Sequence, residues 1–317
     1  MQNLSTIPKP THGSQDWLNL RWANEKGEKR ITASVAAAIH GEHKYTTPAD
    51  LAVELLADTP PVPTEQNDAM RRGTILEGPL MGWAGEILGD SIVEPAEMYC
   101  YEENGVRLMS TMDGRSTITG KFYELKTYNK RWTGQLSRTW YWQGVQQAIC
   151  TGSHEIYWII FDSDLQLQFH TQTVSSDEKQ LHIEAARKFL GFIDMGMMPD
   201  IADPTYDNAA SLYPEGYGNT VVLGHEVYAS LERLAQAREQ KKQAEAVEEL
   251  IKGELAMLLQ DAEYGAIDGT QVVSWKNSSR TSFDTKKFEA EHPALAEKFR
   301  KTSTFRTMRI IAKGAKS

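Results

Sequence analysis

The sequence is short of several things, and each shortage excludes a class of protein. It has only two cysteines, Cys100 and Cys150. Two thiolates cannot build a four-cysteine zinc site or hold an iron–sulfur cluster. One disulfide is compatible with the count, but two reduced, mostly buried thiols in a cytoplasmic protein are the expectation. No uninterrupted apolar run approaches the roughly 20 residues of a membrane-spanning helix. The stretch 1–8 has neither the basic nor the apolar region of a secretory signal. Repeats and low-complexity tracts are missing, and charged (24%) and hydrophobic (40%) fractions are ordinary, so long disorder is not expected. Positive charge is scarce too, with 34 Lys+Arg against 43 Asp+Glu and a net charge of −9. That balance excludes a protein that coats nucleic acid with its whole surface. A confined basic cleft stays open, because phosphate contact depends on local charge. The deficit is uneven: from Thr270 to Ser317 eleven Lys/Arg face four Asp/Glu, a local +7 that leaves −16 for the rest.

What is present reads as an α/β chain. Asp16-Trp17-Leu18-Asn19-Leu20-Arg21 is a helix turn, and Thr32 or Ser34 can N-cap an alanine-rich helix ending near Ile39. A helix starts at Thr47-Pro48, and Pro60-Pro61 breaks the chain before a helical pattern from Asp68 to Leu88. Short strand-like runs from Met98 to Leu125, with a hairpin signal at Asn104-Gly105, form a meander. A helix over 136–149 leads to the continuous apolar strand Glu155–Phe161, a hairpin partner over 166–174 and a helix ending near Ile193. These elements set a core over 1–205 and a linker loop over 206–224. A C-terminal module over 225–317 follows, with a long amphipathic helix or a broken pair, a hairpin near 266–275, helices over 284–299, a strand-like end over 305–311 and the basic tail.

The chemistry sits in Asp113-Gly114 and Glu124-Leu125-Lys126. Side chains alternate along a strand, so Glu124 and Lys126 share one face and Leu125 takes the other. Most Glu-x-Lys triplets are solvated surface pairs. With an Asp arriving from the preceding strand, however, the parts are those of a metal-dependent phosphodiesterase. Two hard oxygen ligands can hold Mg²⁺, and the ammonium group can settle the attacking water or the phosphate. Glu77, in an apolar stretch, either reaches solvent, pairs with Arg71 or Arg72, or ligates something.

Taken in order, Trp17-x-x-Leu20-Arg21, Ile31-Thr32-Ala33-Ser34, Gly73-x-x-x-Glu77, Asp113-Gly114, Glu124-Leu125-Lys126 and Gln143 ahead of Cys150-Thr151-Gly152 resemble one family. It is the lambda-exonuclease-like, or YqaJ-like viral recombinase, branch of the PD-(D/E)xK nucleases, and the resemblance covers about residues 15–195. It implies a restriction-endonuclease-like core, a small mixed sheet flanked by helices, with an α+β C-terminal extension. It also implies that Asp113, Glu124 and the backbone carbonyl of Leu125 ligate Mg²⁺, with Mn²⁺ able to substitute. Glu77 would complete a second metal site or order its waters. Lys126 would orient or deprotonate water, and Gln143 would hold the same water or phosphate. Arg21, Ser34 and Thr111, with Thr32 nearby, match the family's pocket for a 5′-terminal phosphate, and Met70 matches an apolar wedge at the DNA end. About five extra residues separate Arg21 from the Ile-Thr-Ala-Ser run, so Arg30 is the alternative phosphate arginine, and Met112 stands where a small residue or proline is frequent. Lys130, Arg131 and Arg138 are candidate DNA-backbone contacts.

The resemblance further implies a Mg²⁺-dependent 5′→3′ exonuclease on linear double-stranded DNA, in a phage or prophage recombination system. It would leave 3′ overhangs for a single-strand annealing protein and work as a homotrimeric ring. Two alternatives stay open. One is another PD-(D/E)xK endonuclease, restriction or junction-resolving; the other is a catalytically silent DNA-end-binding protein.

Overall fold

The computed structural model describes residues 3–63, 67–302 and 304–311. The chain divides into two compact units, Met1–Tyr213 and Pro214–Ser317. The first runs β1 (Leu4–Pro8), α1 (Gln15–Trp22), β2 (Ile31–Thr32), a 3₁₀ helix (Ala33–His40), α2 (Pro48–Leu56), α3 (Asp68–Leu88), β3 (Ile92–Val93), β4 (Glu97–Glu103) and β5 (Val106–Ser110). It continues with β6 (Gly114–Ser116), β7 (Phe122–Thr127), α4 (Arg138–Thr151), β8 (Glu155–Phe161), β9 (Leu167–Thr173), α5 (Ser176–Asp194) and α6 (Tyr206–Leu212).

Local chemistry accounts for many boundaries. Thr47 and Asp50 form a reciprocal capping box on α2, with Pro48 in its first turn, and Ser175 and Glu178 do the same on α5. The β4–β5 turn needs left-handed backbone at both central residues, and Asn104 (φ 48°) and Gly105 (φ 81°) supply it. Ala33–His40 is tighter than the expected α-helix, and the Thr32 hydroxyl does not cap it. That hydroxyl is engaged elsewhere, as described below.

The expected single meander divides between two sheets. β4 and β5 belong to a four-stranded sheet of order β1-β4-β5-β2, and β6 and β7 to a five-stranded sheet of order β3-β6-β7-β8-β9. The chain changes sheet at Thr111–Asp113. β7 and β8 run parallel, joined through α4 as crossover. The main core lies around α4, where Trp142, Val145 and Ala148 meet Leu108 of β5, Trp158 and Ile160 of β8, Ala36 and Ile39 of the 3₁₀ helix, and Phe189 of α5. The result is the α/β arrangement expected from the sequence, small mixed sheets flanked by helices.

Two boundaries differ from the sequence reading. Part of the expected linker loop is α6, capped by Thr205, and Asn208 donates to Asp50 of α2 at 2.8 Å. The Thr205/Asn208 box lets a short polar segment close as a helix against the core. The second unit holds α7 (Val227–Leu259), a single unbroken helix, then the hairpin β10 (Tyr264–Ile267) and β11 (Thr270–Ser274), α8 (Thr285–Glu291) and α9 (Pro293–Phe299). No strand forms over 305–311. Residues 312–317 of the expected basic tail lie outside the described residues. Among the described residues no helix is long and apolar enough to cross a membrane.

Candidate active site

The site opens where β6 and β7 part. They pair only at Gly114↔Tyr123 and Arg115↔Phe122, so β7 loses this partner after Tyr123. Asp113 fills the gap: its Oδ2 accepts the Leu125 N–H at 2.8 Å. The N–H and C=O of one strand residue point to the same edge, so the Leu125 carbonyl faces this gap as well. Alternation then sorts the side chains. Tyr123 and Leu125 pack on Leu80, Met81 and Ala84 of α3, while Glu124 and Lys126 face α4.

Glu124 is 3% exposed and fully engaged. Its Oε1 accepts from Lys126 Nζ (2.6 Å) and Gln143 Nε2 (2.5 Å), and its Oε2 accepts from Gln147 Nε2 (2.5 Å). Gln143 and Gln147 lie one turn apart on α4, so both carboxamides reach the same carboxylate. Close approach of α4 to the sheet makes this reach feasible. A Cβ on Gly144 would lie 2.0 Å from Gln172 Oε1 and 3.0 Å from the Trp158 ring.

Crowded charge shapes the titration. Burial, then the Glu124 and Glu77 carboxylates, push the Asp113 carboxyl well above the usual range, against Lys126 and the Leu125 N–H. Burial would lower the Lys126 ammonium, but Glu124 and Asp113 outweigh it and raise its pKa. Burial also raises Glu77, reinforced by Glu94. Among the described residues no three His, Cys, Asp or Glu side chains form a ready cage for an ion. The donors at the gap are nevertheless hard oxygens, two carboxylates and one carbonyl, in a locus where like charges repel. That set fits a divalent cation such as Mg²⁺ or Mn²⁺.

A cavity of about 300 Å³ adjoins this group, lined by His12, Trp17, Arg21, Ala33, Ser34, Thr111, Glu124, Lys126 and Gln143. Arg21 stacks on Trp17 at 4.2 Å and donates through Nη2 to Thr32 Oγ1 (3.1 Å) and Ser34 Oγ (2.8 Å). It makes no ion pair among the described residues, and desolvation lowers its pKa to about 10, with Glu54 opposing. A guanidinium without a counter-ion, beside hydroxyls, is an anion receptor.

The remaining expected site residues distribute unevenly. Arg30 does not line this cavity. It is buried, pairs with Glu102 Oε1 (2.7 Å) and donates to the Leu20 carbonyl (3.1 Å), so it ties α1 to β4 and is not the alternative phosphate arginine. Arg138 pairs with Glu42 (2.8 Å) and Arg131 with Asp164 (3.3 Å), so neither presents an uncompensated charge. Lys130 is exposed. Met70 is 53% exposed near the start of α3, outside the cavity lining. Glu77 is half-buried and pairs with neither Arg71 nor Arg72. The sequence reading missed Gln147, although its i,i+4 spacing from Gln143 was a signal. It also missed His12, whose loop between β1 and α1 offered none.

Residues 16–154 match the family described as the YqaJ-like viral recombinase domain. No curated protein matches the chain at a significant level. The alkaline exonuclease LHK-Exo from Laribacter hongkongensis is similar over 57% of this chain and 93% of its own, at 19% identity and a TM-score of 0.46. Its complex with dAMP covers the same shares at 18% identity and a TM-score of 0.47. A phage related exonuclease from Haemophilus somnus 129PT is similar over 51% of this chain and 94% of its own, at 11% identity and a TM-score of 0.40.

Proposed function

We propose that this protein, whose residues 16–154 match the YqaJ-like viral recombinase domain, is a Mg²⁺-dependent 5′→3′ exonuclease on linear double-stranded DNA. The observation that carries the reading is the shared cavity: Arg21, Ser34 and Thr111 line it together with Glu124, Lys126 and Gln143. One pocket can thus read a terminal phosphate and present the adjoining phosphodiester for cleavage.

Asp113, Glu124 and the Leu125 carbonyl would hold the cation, with Glu77 beside them. The bound ion supplies Lewis acidity toward the phosphoryl oxygens and lowers the pKa of water. Arg21 binds the 5′-phosphate through its free guanidinium N–H groups, and Ser34 and Thr111 supply hydroxyls. Lys126, whose pKa its neighbours raise, acts as a fixed positive charge against the phosphate and not as a base. Gln143 holds Glu124 and faces the cavity, where its carboxamide orients water or phosphate. Attack by water on the phosphorus breaks the bond to the 3′ oxygen, which takes up a proton and leaves with the released mononucleotide. The phosphate stays on the shortened strand as a new 5′ end, so each turnover regenerates the group that the Arg21 pocket recognises.

Repeated turnover leaves a 3′ overhang, the substrate of a single-strand annealing protein in a phage or prophage recombination system. A homotrimeric ring in the cytoplasm would add processivity by enclosing the duplex. Met70 would serve as the wedge at the DNA end, and Lys130 as a backbone contact. The test is digestion of linear duplex carrying 5′-phosphate or 5′-hydroxyl ends, with Mg²⁺ or EDTA, beside covalently closed circular DNA. Metal-dependent digestion of the phosphorylated linear substrate alone is the expected result. Cleavage of closed circles would instead assign an endonuclease, and full digestion by Lys126→Ala or Asp113→Ala would refute the site.

A further inference from the structure

Gln147 is fully buried in α4 and, unlike Gln143, does not line the cavity. Its Nε2 donates to Glu124 Oε2 at 2.5 Å and approaches the Thr111 carbonyl at 3.4 Å. Its Oε1 is buried with no donor among the described residues. A carboxamide could relieve an unsatisfied acceptor by flipping, but a flip here would set Oε1 against the Glu124 carboxylate and the Thr111 carbonyl. Two acceptors therefore dictate the orientation, and the unsatisfied oxygen is the consequence of keeping the NH₂ on them.

The two acceptors belong to segments that no backbone ladder joins. Thr111 precedes β6 by three residues, in the crossing between sheets, and Glu124 lies on β7 beyond its last β6 pair at Tyr123. Asp113 and Gln147 are the side chains that span this gap, Asp113 through Leu125 and Gln147 through Glu124. We propose that Gln147 is a positioning residue that ties the Glu124 carboxylate to the Thr111 segment, so that cation holding and 5′-phosphate recognition are mechanically coupled. The Gln143 bond to Glu124 Oε1 does not make this connection, because it ends on the carboxylate. The coupling to phosphate rests on the exonuclease reading; the fastening of Glu124 does not.

The experiment uses the full chain and two readouts: Mn²⁺ binding by calorimetry without DNA, and duplex binding in EDTA by fluorescence anisotropy with 5′-phosphoryl or 5′-hydroxyl ends. Gln147→Met keeps the volume and removes the donor. It is expected to weaken Mn²⁺ binding about tenfold and to reduce end discrimination about fivefold. Gln143→Met, which removes only the bond that ends on the Glu124 carboxylate, should weaken Mn²⁺ binding as well. Gln147→Asn, with the same group on a shorter arm, guards against a folding failure and should show both losses in smaller measure. A folded Gln147 variant with unchanged Mn²⁺ affinity and unchanged discrimination overturns the proposal, even if its melting temperature falls. If the wild-type protein fails to distinguish the two ends, the end-recognition reading fails, and the Mn²⁺ arm alone still decides whether Gln147 fastens Glu124.

Discussion

Arg21 and Arg30 are chemically identical and nine positions apart, yet they do opposite work. Arg30 is neutralised by Glu102 within the fold, while Arg21 keeps an unpaired charge beside Thr32 and Ser34. Replacing Arg21 by Lys preserves the charge but removes the planar guanidinium, whose Nη2 alone meets both hydroxyls and leaves the other N–H groups for a phosphate. Arg21→Lys is therefore expected to lower the rate ratio between 5′-phosphoryl and 5′-hydroxyl ends by about tenfold, the loss of one charge-assisted hydrogen bond. An unchanged ratio in single-turnover digestion would remove Arg21 from the phosphate pocket. The carboxylates and lysine were legible in sequence because Glu77, Asp113, Glu124-x-Lys126 and Gln143 follow in an order that resembles a nuclease family, whereas Glu-x-Lys alone is more often a surface pair. The choice between the arginines was not, since it depends on Glu102, seventy-two residues beyond Arg30.

At the scale of elements, α4 is the part on which the site depends. One face carries Gln143 and Gln147 to Glu124, and another carries Gln146, whose Nε2 donates to the carbonyls of Ile31 (2.8 Å) and Met109 (2.9 Å). With both N–H bonds spent, Gln146 Oε1 must accept, so His182 of α5 donates through Nε2 (3.0 Å) and accepts at Nδ1 from His40 Nε2 (2.9 Å). His182, donating at one ring nitrogen and accepting at the other, is thereby held neutral. Burial first, then His40, lowers His182 from 6.5 to about 3. Burial lowers His40 to about 4, with Glu42 opposing and Arg138 assisting. Since the unfolded chain binds these protons more tightly, this contribution to stability is complete above pH 6.5 and is lost as pH falls toward 4 and then 3. His182→Leu should flatten part of that acid limb in thermal melts, while lowering the midpoint at neutral pH by leaving Gln146 Oε1 without a donor. An acid limb identical to that of the wild type would contradict the assignment. Periodicity located α4 and α5 from sequence, but a buried His on an apolar helix face gives no hint of its partner.

Across the whole molecule, every residue assigned to the site lies in the unit Met1–Tyr213, which has its own core. A chain ending at Tyr213 is expected to fold cooperatively and to bind Mn²⁺ within about threefold of the full chain, within the range for sites whose ligands are all retained. Calorimetry on both chains checks this, and failure of the shorter chain to fold would make the second unit part of the first unit's stability. In the second unit the +7 of residues 270–317 offsets the −6 of residues 214–269, so the net negative charge of the chain resides in the first unit.

By itself the sequence determined the α/β class, most elements and the acidic-lysine centre, because periodicity and caps are local and the order of motifs is read along the chain. Only the tertiary structure decided which arginine is free of an ion pair, that α6 closes on α2, and that β6 and β7 part at the gap that Asp113 and Gln147 bridge. Those outcomes depend on partners distant in sequence: Glu102 for Arg30, Asp50 for Asn208, and Glu124 for Gln147. A side chain's role there is set by which acceptor reaches it first in three dimensions, and no local pattern encodes that distance.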